Sequence, residues 1–178
     1  MSDWRPGDRP PDRESMLRVD QAGEYGATRI YAGQLAVLRR NSASARLIAR
    51  MAAQEQRHLD RFNAMVADRR VRPTALQPLW NVAGFALGAA TALMSEKAAM
   101  ACTDAIETEI DRHYSEQLDA LGESDPELAS NIVEFRAEEL EHRDVARSAG
   151  ATQAVGYPLL SAVIRGGCRV AIELSKRI

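Results

Sequence analysis

Apolar residues recur along this chain in threes and fours, the period of amphipathic helices, with almost none of the alternation that marks strands. Leu128, Ile132, Phe135, Glu139, His142, Ala146 and Ala149 step by four and three in turn, which is the inward seam of one helix. Asp125-Pro126-Glu127 supplies an N-cap, a first-turn proline and a first-turn acid for it, and Gly150 closes it. Residues 45–68 carry the stripe Ile48, Met51, Glu55, His58, Phe62 and Met65, after a capping turn at 41–44. Residues 14–40 carry Leu17, Asp20, Glu24, Ala27, Tyr31, Leu35 and Leu38. Residues 95–121 carry Met100, Thr103, Glu107, Ile110, Tyr114, Leu118 and Leu121, with Gly122 placed to end the helix.

Two further stretches have no charge at all. Residues 73–95 form an apolar helix with Trp80 near its start and Gly84-x-x-x-Gly88, a spacing that permits close helix contact. On its own this segment reads equally as a buried core helix or as a hairpin lying on a membrane surface. Residues 149–164 are again uncharged, and Arg165, Arg169, Lys176 and Arg177 follow as a basic rim suited to anionic headgroups. Gly23, Gly26 and Gly33 each cost about 1 kcal/mol relative to Ala in a helix. They point to close approach by another helix or a ligand.

The order repeats. A helix with a lone Glu, a helix with Glu-x-x-His and an uncharged segment occur twice, Glu24 preceding Glu55 by 31 positions and Glu107 preceding Glu139 by 32. Two similar helical hairpins facing one another are expected. Residues 1–14, rich in Pro, Asp and Arg, read as a disordered lead-in without a signal-peptide core, and residues 15–178 as one domain.

Composition narrows the function. Few aromatics, 5%, and abundant Ala, Leu, Glu and Arg fit an all-α chain, while a net charge of −2 gives no nucleic-acid footprint. Cys102 and Cys168 form no metal-binding array and read as packing residues in a reducing compartment. No uncharged run is apolar enough to span a bilayer, which needs roughly 20 residues.

The seams hold the chemistry. Glu24, Glu55, His58, Glu107, Glu139 and His142 occupy inward positions, where carboxylates are costly unless neutralised. Two divalent cations would cancel four carboxylates, and oxygen and imidazole ligands suit iron or manganese. Four-helix bundles of ferritin type use this set: one Glu from each of two helices and Glu-x-x-His from each of the others. Glu138 and Glu141 flank the seam and should face solvent or support the ligands. Glu109 lies far from the inward face, and His113 is off the stripe. Asp20, Asp111 and Tyr114 lie near enough along the faces to hydrogen-bond the ligands.

Val19-Asp20-Gln21-Ala22-Gly23-Glu24-Tyr25-Gly26-Ala27, with Arg29-Ile30-Tyr31-Ala32-Gly33-Gln34, resembles the first-helix signature of the demethoxyubiquinone hydroxylases. Residues 135–142 and Gly167-Cys168-Arg169-Val170-Ala171-Ile172 resemble later motifs of the same family. The resemblance covers nearly the whole chain after the N-terminal tail. It implies a ferritin-like four-helix bundle built from two hairpins, with additional apolar membrane-facing helices. It implies that the six seam residues bind two irons, with Glu55 and Glu139 able to bridge them. The implied reaction adds one atom of dioxygen to the ring of a polyprenylated methoxy-methyl-benzoquinol during ubiquinone biosynthesis.

The resemblance further implies NADH as electron source, although the chain has no nucleotide-binding glycine loop. It implies a lipid-binding accessory protein as partner and a peripheral place on the cytoplasmic face of the cell membrane, and it is compatible with a homo-oligomer. Residues 73–95 then read as entrance and anchor for a water-insoluble substrate. Two competing readings keep other classes open: an iron-storage bundle, which an uncharged apolar segment fits poorly, and a non-enzymatic membrane-peripheral lipid-binding module.

Overall fold

A computed structural model describes residues 12–178. Among them the chain is all-helical, with six α-helices and no strand: α1 (Arg13–Val37), α2 (Ala43–Asp68), α3 (Gln77–Met94), α4 (Glu96–Leu121), α5 (Pro126–Ser148) and α6 (Tyr157–Ser175). A 3-10 turn, Ala151–Gln153, joins the last two. The helix boundaries follow local chemistry. Asp12, Ser42, Ser95 and Asp125 cap α1, α2, α4 and α5 by accepting from the amides of Ser15, Ala45, Ala98 and Leu128. Gly122 and Gly150 take positive φ after α4 and α5, as expected, and Arg70 does so after α2. Arg13 and Glu14, read from sequence as lead-in, already belong to α1, because Asp12 provides its cap. The remainder of that lead-in, residues 1–11, lies outside the described residues.

The helices α1 and α2 form one hairpin and α4 and α5 another, and the pairs α1–α4 and α2–α5 close the ring. The α2–α5 side is joined by ion pairs: Arg61 with Glu127, Arg69 with Asp125 and Glu127, and Arg57 with Glu138. Apolar layers seal the two ends of the ring. Leu17, Phe62, Met65, Tyr114, Leu121, Leu128 and Ile132 close one end, and Tyr31, Ile48, Met51 and an alanine-rich stretch of α4 close the other.

Outside this ring, α3 lies on α1, and α6 lies on α4 with a smaller contact to α1. Glycines set the α1–α3 crossing. A Cβ on Gly33 would stand 2.1 Å from the Phe85 carbonyl oxygen, and one on Gly88 would stand 2.0 Å from that of Ile30. Backbone meets backbone here, so no side chain fits. Gly23 and Gly26 have nothing within 4 Å of the same position. They line an apolar cavity of about 430 Å³ between α1, α3, α4 and α6. The sequence expectation of close approach thus divides: Gly33 admits a helix, whereas Gly23 and Gly26 leave open space.

No helix among the described residues is long and apolar enough to cross a membrane. The exposed large apolar residues nonetheless cluster. All but Val133 come from α3 or from Val155 onwards, including Val82, Leu93, Val155 and Leu159. The ends of the two segments are tied together, since Trp80 Nε1 donates to Ser175 Oγ at 3.1 Å and the Ala75 amide donates to the Ile178 carbonyl at 3.3 Å. The expected basic rim is largely engaged internally: Arg165 and Arg169 pair with Glu109, and Lys176 pairs with Glu173.

Two substitutions separate the two glycine roles. Gly88→Ala should lower stability by about 1–3 kcal/mol or more, because two backbones must part. Gly23→Ala should leave it unchanged or raise it by up to about 1 kcal/mol through helix propensity. Denaturant unfolding followed by circular dichroism measures both, and equal losses would contradict the assignment.

Candidate metal centre

The four helices of the ring bring Glu24 from α1, Glu55 and His58 from α2, Glu107 from α4, and Glu139 and His142 from α5 into one buried cluster. All six are at most 1% exposed. They fall into two overlapping groups. Glu24, Glu55, His58 and Glu139 form one, and Glu55, Glu107, Glu139 and His142 the other; within each, one donor atom per residue lies within 4.8 Å of all the rest. Glu55 and Glu139 belong to both, the placement of bridging carboxylates.

Helical spacing explains the convergence. Residues three apart share a face, so each Glu-x-x-His presents both donors to the ring interior. His58 is held by stacking on Phe135, with ring centroids 4.0 Å apart. Its Nδ1 lies 3.1 Å from Glu139 and 3.5 Å from Glu24. His142 Nδ1 lies 3.1 Å from both Glu55 and Glu139.

Electrostatics expose the demand for a cation. Burial first, then the neighbouring carboxylates Glu139 and Glu24, pushes Glu55 well above the usual range, and burial with Glu139 does the same to Glu107. Burial also raises Glu139. Glu24 goes down because hydrogen bonding and charge from His58 outweigh its burial. Burial would lower His58, but Glu139 and Glu24 raise it to about 10. His142, by contrast, is lowered by burial. Both Glu55 oxygens, one oxygen each of Glu24, Glu107 and Glu139, and His58 Nδ1 have no hydrogen-bond partner. Such buried, unpartnered carboxylate oxygens gathered around an imidazole fit metal ions and fit little else.

Two tyrosines cross the cluster. Tyr31 on α1 donates to Glu107 on α4 at 2.7 Å, and Tyr114 on α4 donates to Glu24 on α1. The Tyr114 contact falls within the sequence expectation. The stripe marks Tyr31 only as a seam residue, although it stands seven positions after Glu24 as Tyr114 stands after Glu107. Burial raises both hydroxyls far above their usual range, so both stay protonated as donors.

The remaining candidates are placed elsewhere. Glu138 is partly buried and accepts from His58 Nε2 at 3.2 Å, whereas Glu141 is exposed. Asp111 binds Arg136 and Arg143 and does not reach the cluster. Asp20 and His113 are buried side by side at 3.4 Å, and neither belongs to the two metal-binding groups. Glu109 stays off the cluster as expected, but it is fully buried among Arg112, Arg165 and Arg169. The helical period places Arg112 one turn after Glu109 but does not signal the rest of the cage, because Arg165 and Arg169 come from the remote α6.

A family model described as ubiquinone biosynthesis protein COQ7 matches residues 12–175, thereby covering all four ring helices and the six clustered residues. The chain belongs to the COQ7 family. Among relatives, a 3-demethoxyubiquinol 3-hydroxylase of Rhodospirillum rubrum is 56% identical over 178 residues, covering 99% of this chain and 84% of its own. The mitochondrial NADPH-dependent 3-demethoxyubiquinone 3-hydroxylase of Homo sapiens is 52% identical over 169 residues, covering 93% and 77%. The mitochondrial 5-demethoxyubiquinone hydroxylase of Saccharomyces cerevisiae is 42% identical over 181 residues, covering 93% and 78%. The match to the COQ7 family agrees with the resemblance carried by residues 19–34, 135–142 and 167–172.

The Glu109 cage predicts an acid-dependent contribution to stability. Burial favours the protonated form, but Arg169, Arg165 and Arg112 outweigh it and lower the carboxyl to about 2 from its ordinary 4.5. A group depressed on folding stabilises fully above its ordinary pKa and loses that contribution as pH falls through the folded value. Glu109→Gln should therefore cost about 1–2 kcal/mol at neutral pH, a range discounted because the arginines are partly exposed. The gap to wild type should close between pH 4.5 and pH 2. Urea unfolding at stepped pH tests this, and a pH-independent gap would contradict it.

Proposed function

We propose that this COQ7-family chain is a di-iron monooxygenase that hydroxylates the quinol ring of a polyprenylated demethoxyubiquinol. The observation carrying this reading is one juxtaposition: six buried metal donors beside an apolar cavity. In the ferritin-like arrangement, Glu24 and His58 would hold one iron and Glu107 and His142 the other, with Glu55 and Glu139 shared. Bound iron would supply the electrons that activate dioxygen for insertion of one atom into the ring.

The chain's own residues do the rest. Tyr31 and Tyr114 donate to Glu107 and Glu24 and hold one oxygen of each, leaving the other free toward the cluster. The apolar layers at both ends of the ring exclude water from the cluster, which strengthens every electrostatic contact within it. The cavity reaches the cluster's α1–α4 wall. Ala27 lies one turn from Glu24, and Ile106 and Ile110 flank Glu107. Glu109 is the one charged group among the described residues lining it, and its arginines pin it. Such a passage suits a quinol ring followed by an isoprenoid tail.

The relatives' names bear on the reductant. The mitochondrial relatives from Homo sapiens and Mus musculus are named NADPH-dependent, which favours NADPH over the NADH suggested by resemblance alone. The apolar faces of α3 and α6 support peripheral docking on a membrane, where the tail resides, and the resemblance supplies its cytoplasmic side.

Two measurements test the reading. Anaerobic reconstitution should give two irons per chain, and admitting dioxygen with NADPH as reductant should then convert demethoxyubiquinol, both lost in Glu139→Ala. Less than one iron per chain in the wild type would reject it. In Gly26→Leu, which narrows the cavity, iron loading should stay normal while turnover falls. Second, Val82, Phe85 and Leu93 changed together to Ser should weaken liposome flotation at least roughly tenfold, since burying each side chain contributes about 1.5 kcal/mol or more. Undiminished flotation would exclude this face as the docking surface.

A further inference from the structure

The cluster has an approximate twofold relation, and it is broken at one pair of positions. Glu24 matches Glu107, Tyr31 matches Tyr114, Glu55 matches Glu139 and His58 matches His142, each pair identical in residue type. The hydrogen bonds follow the same exchange, with each tyrosine reaching the other hairpin's lone glutamate. Each histidine likewise turns its outer nitrogen to the residue preceding the other hairpin's bridging glutamate. For His58 that residue is Glu138, at 3.2 Å, and for His142 it is Gln54, at 3.1 Å. One histidine is backed by a carboxylate and the other by a neutral amide.

The hydrogen-bond chain fixes the donors. Gln54 Nε2 donates to Glu138 Oε2 at 3.0 Å, so the amide oxygen Oε1 is the atom facing His142. An oxygen acceptor there requires the proton on His142 Nε2, which leaves the Nδ1 lone pair for the cluster. Glu138 likewise only accepts, so His58 also carries its proton on Nε2. Arg57 reaches Glu138 at 3.1 Å, but its side chain is 62% exposed against 24% for Glu138, so water screens it. An anionic partner makes an imidazole a better electron donor than an amide does, and outer partners typically change metal affinity by about 10–100-fold.

We propose that Gln54 and Glu138 are positioning residues that make the two metal positions unequal, with the position served by Glu24 and His58 filling first and holding its ion more tightly. This rests on the dinuclear reading above.

Cobalt(II) tests it without turnover. The metal-free full chain is loaded with one Co²⁺ per molecule, and the hyperfine-shifted imidazole N–H resonances are followed by proton NMR in H₂O. Resonances are assigned by their loss in His58→Gln and His142→Gln. In wild type the His58 resonance should exceed that of His142 by at least about tenfold. Glu138→Gln makes the two outer partners alike, and the ratio should fall to within about threefold. The exchange of both residues, Gln54→Glu with Glu138→Gln, should restore a large ratio with His142 now dominant, an outcome that a merely structural role cannot produce. Equal resonances in half-loaded wild type, or His58 dominance retained in the exchanged protein, would overturn the proposal. Saturation at fewer than two Co²⁺ per wild-type chain would instead reject the dinuclear reading itself, and the inference with it.

Discussion

Four carboxylates sit in the centre of a small helical ring with almost no solvent contact, and the rest of the molecule is arranged around that cost. Without counter-charge, Glu55, Glu107 and Glu139 move toward the protonated form, and hydrogen bonding and charge from Glu139 and Glu24 favour the protonated form of His58. Buried like charges are otherwise strongly unfavourable. Only Tyr31, Tyr114 and the histidines offset this from within the protein, and they leave several oxygens without partners. Two divalent cations would complete the balance. The same neutralisation links the site's chemistry to the stability of the ring.

Around that core the chain separates two demands that conflict in a small protein. The cluster must stay dry, and a large apolar molecule must come beside it. The α1–α3 crossing is locked by backbone contact at Gly33 and Gly88, so that wall is rigid. Earlier along α1, a Cβ on Gly23 or Gly26 would meet nothing within 4 Å, and the wall opens into the cavity. Glu109 shows how a charge can line an apolar passage: three arginines from two helices hold it, which leaves no uncompensated charge in the wall. The opposite side of the ring, α2 against α5, is instead joined by ion pairs and by the chain from His142 through Gln54 and Glu138 to His58.

The apolar faces of α3 and α6 extend the cavity outward in character. They add exposed Leu, Val and Phe to a structure whose described helices cannot cross a bilayer. The basic residues expected to rim this face are largely committed to Glu109 and Glu173. Apolar contact, more than headgroup charge, is therefore what this surface offers.

By itself the sequence determined the helices, the N-caps of α2 and α5 and the six metal-ligand candidates, because helical period and capping are local. A polar residue on an apolar stripe is visible without knowing what lies opposite. Tyr114 was legible for the same reason. Tyr31 as the partner of Glu107, Gln54 and Glu138 behind the histidines, the burial of His113 beside Asp20, and the arginine cage of Glu109 were decided only by the tertiary structure. So was the division of the α1 glycines between a helix crossing and an open cavity. Each of these depends on which helix faces which across tens of residues of chain, and a one-dimensional period carries the face of a helix but not its neighbour.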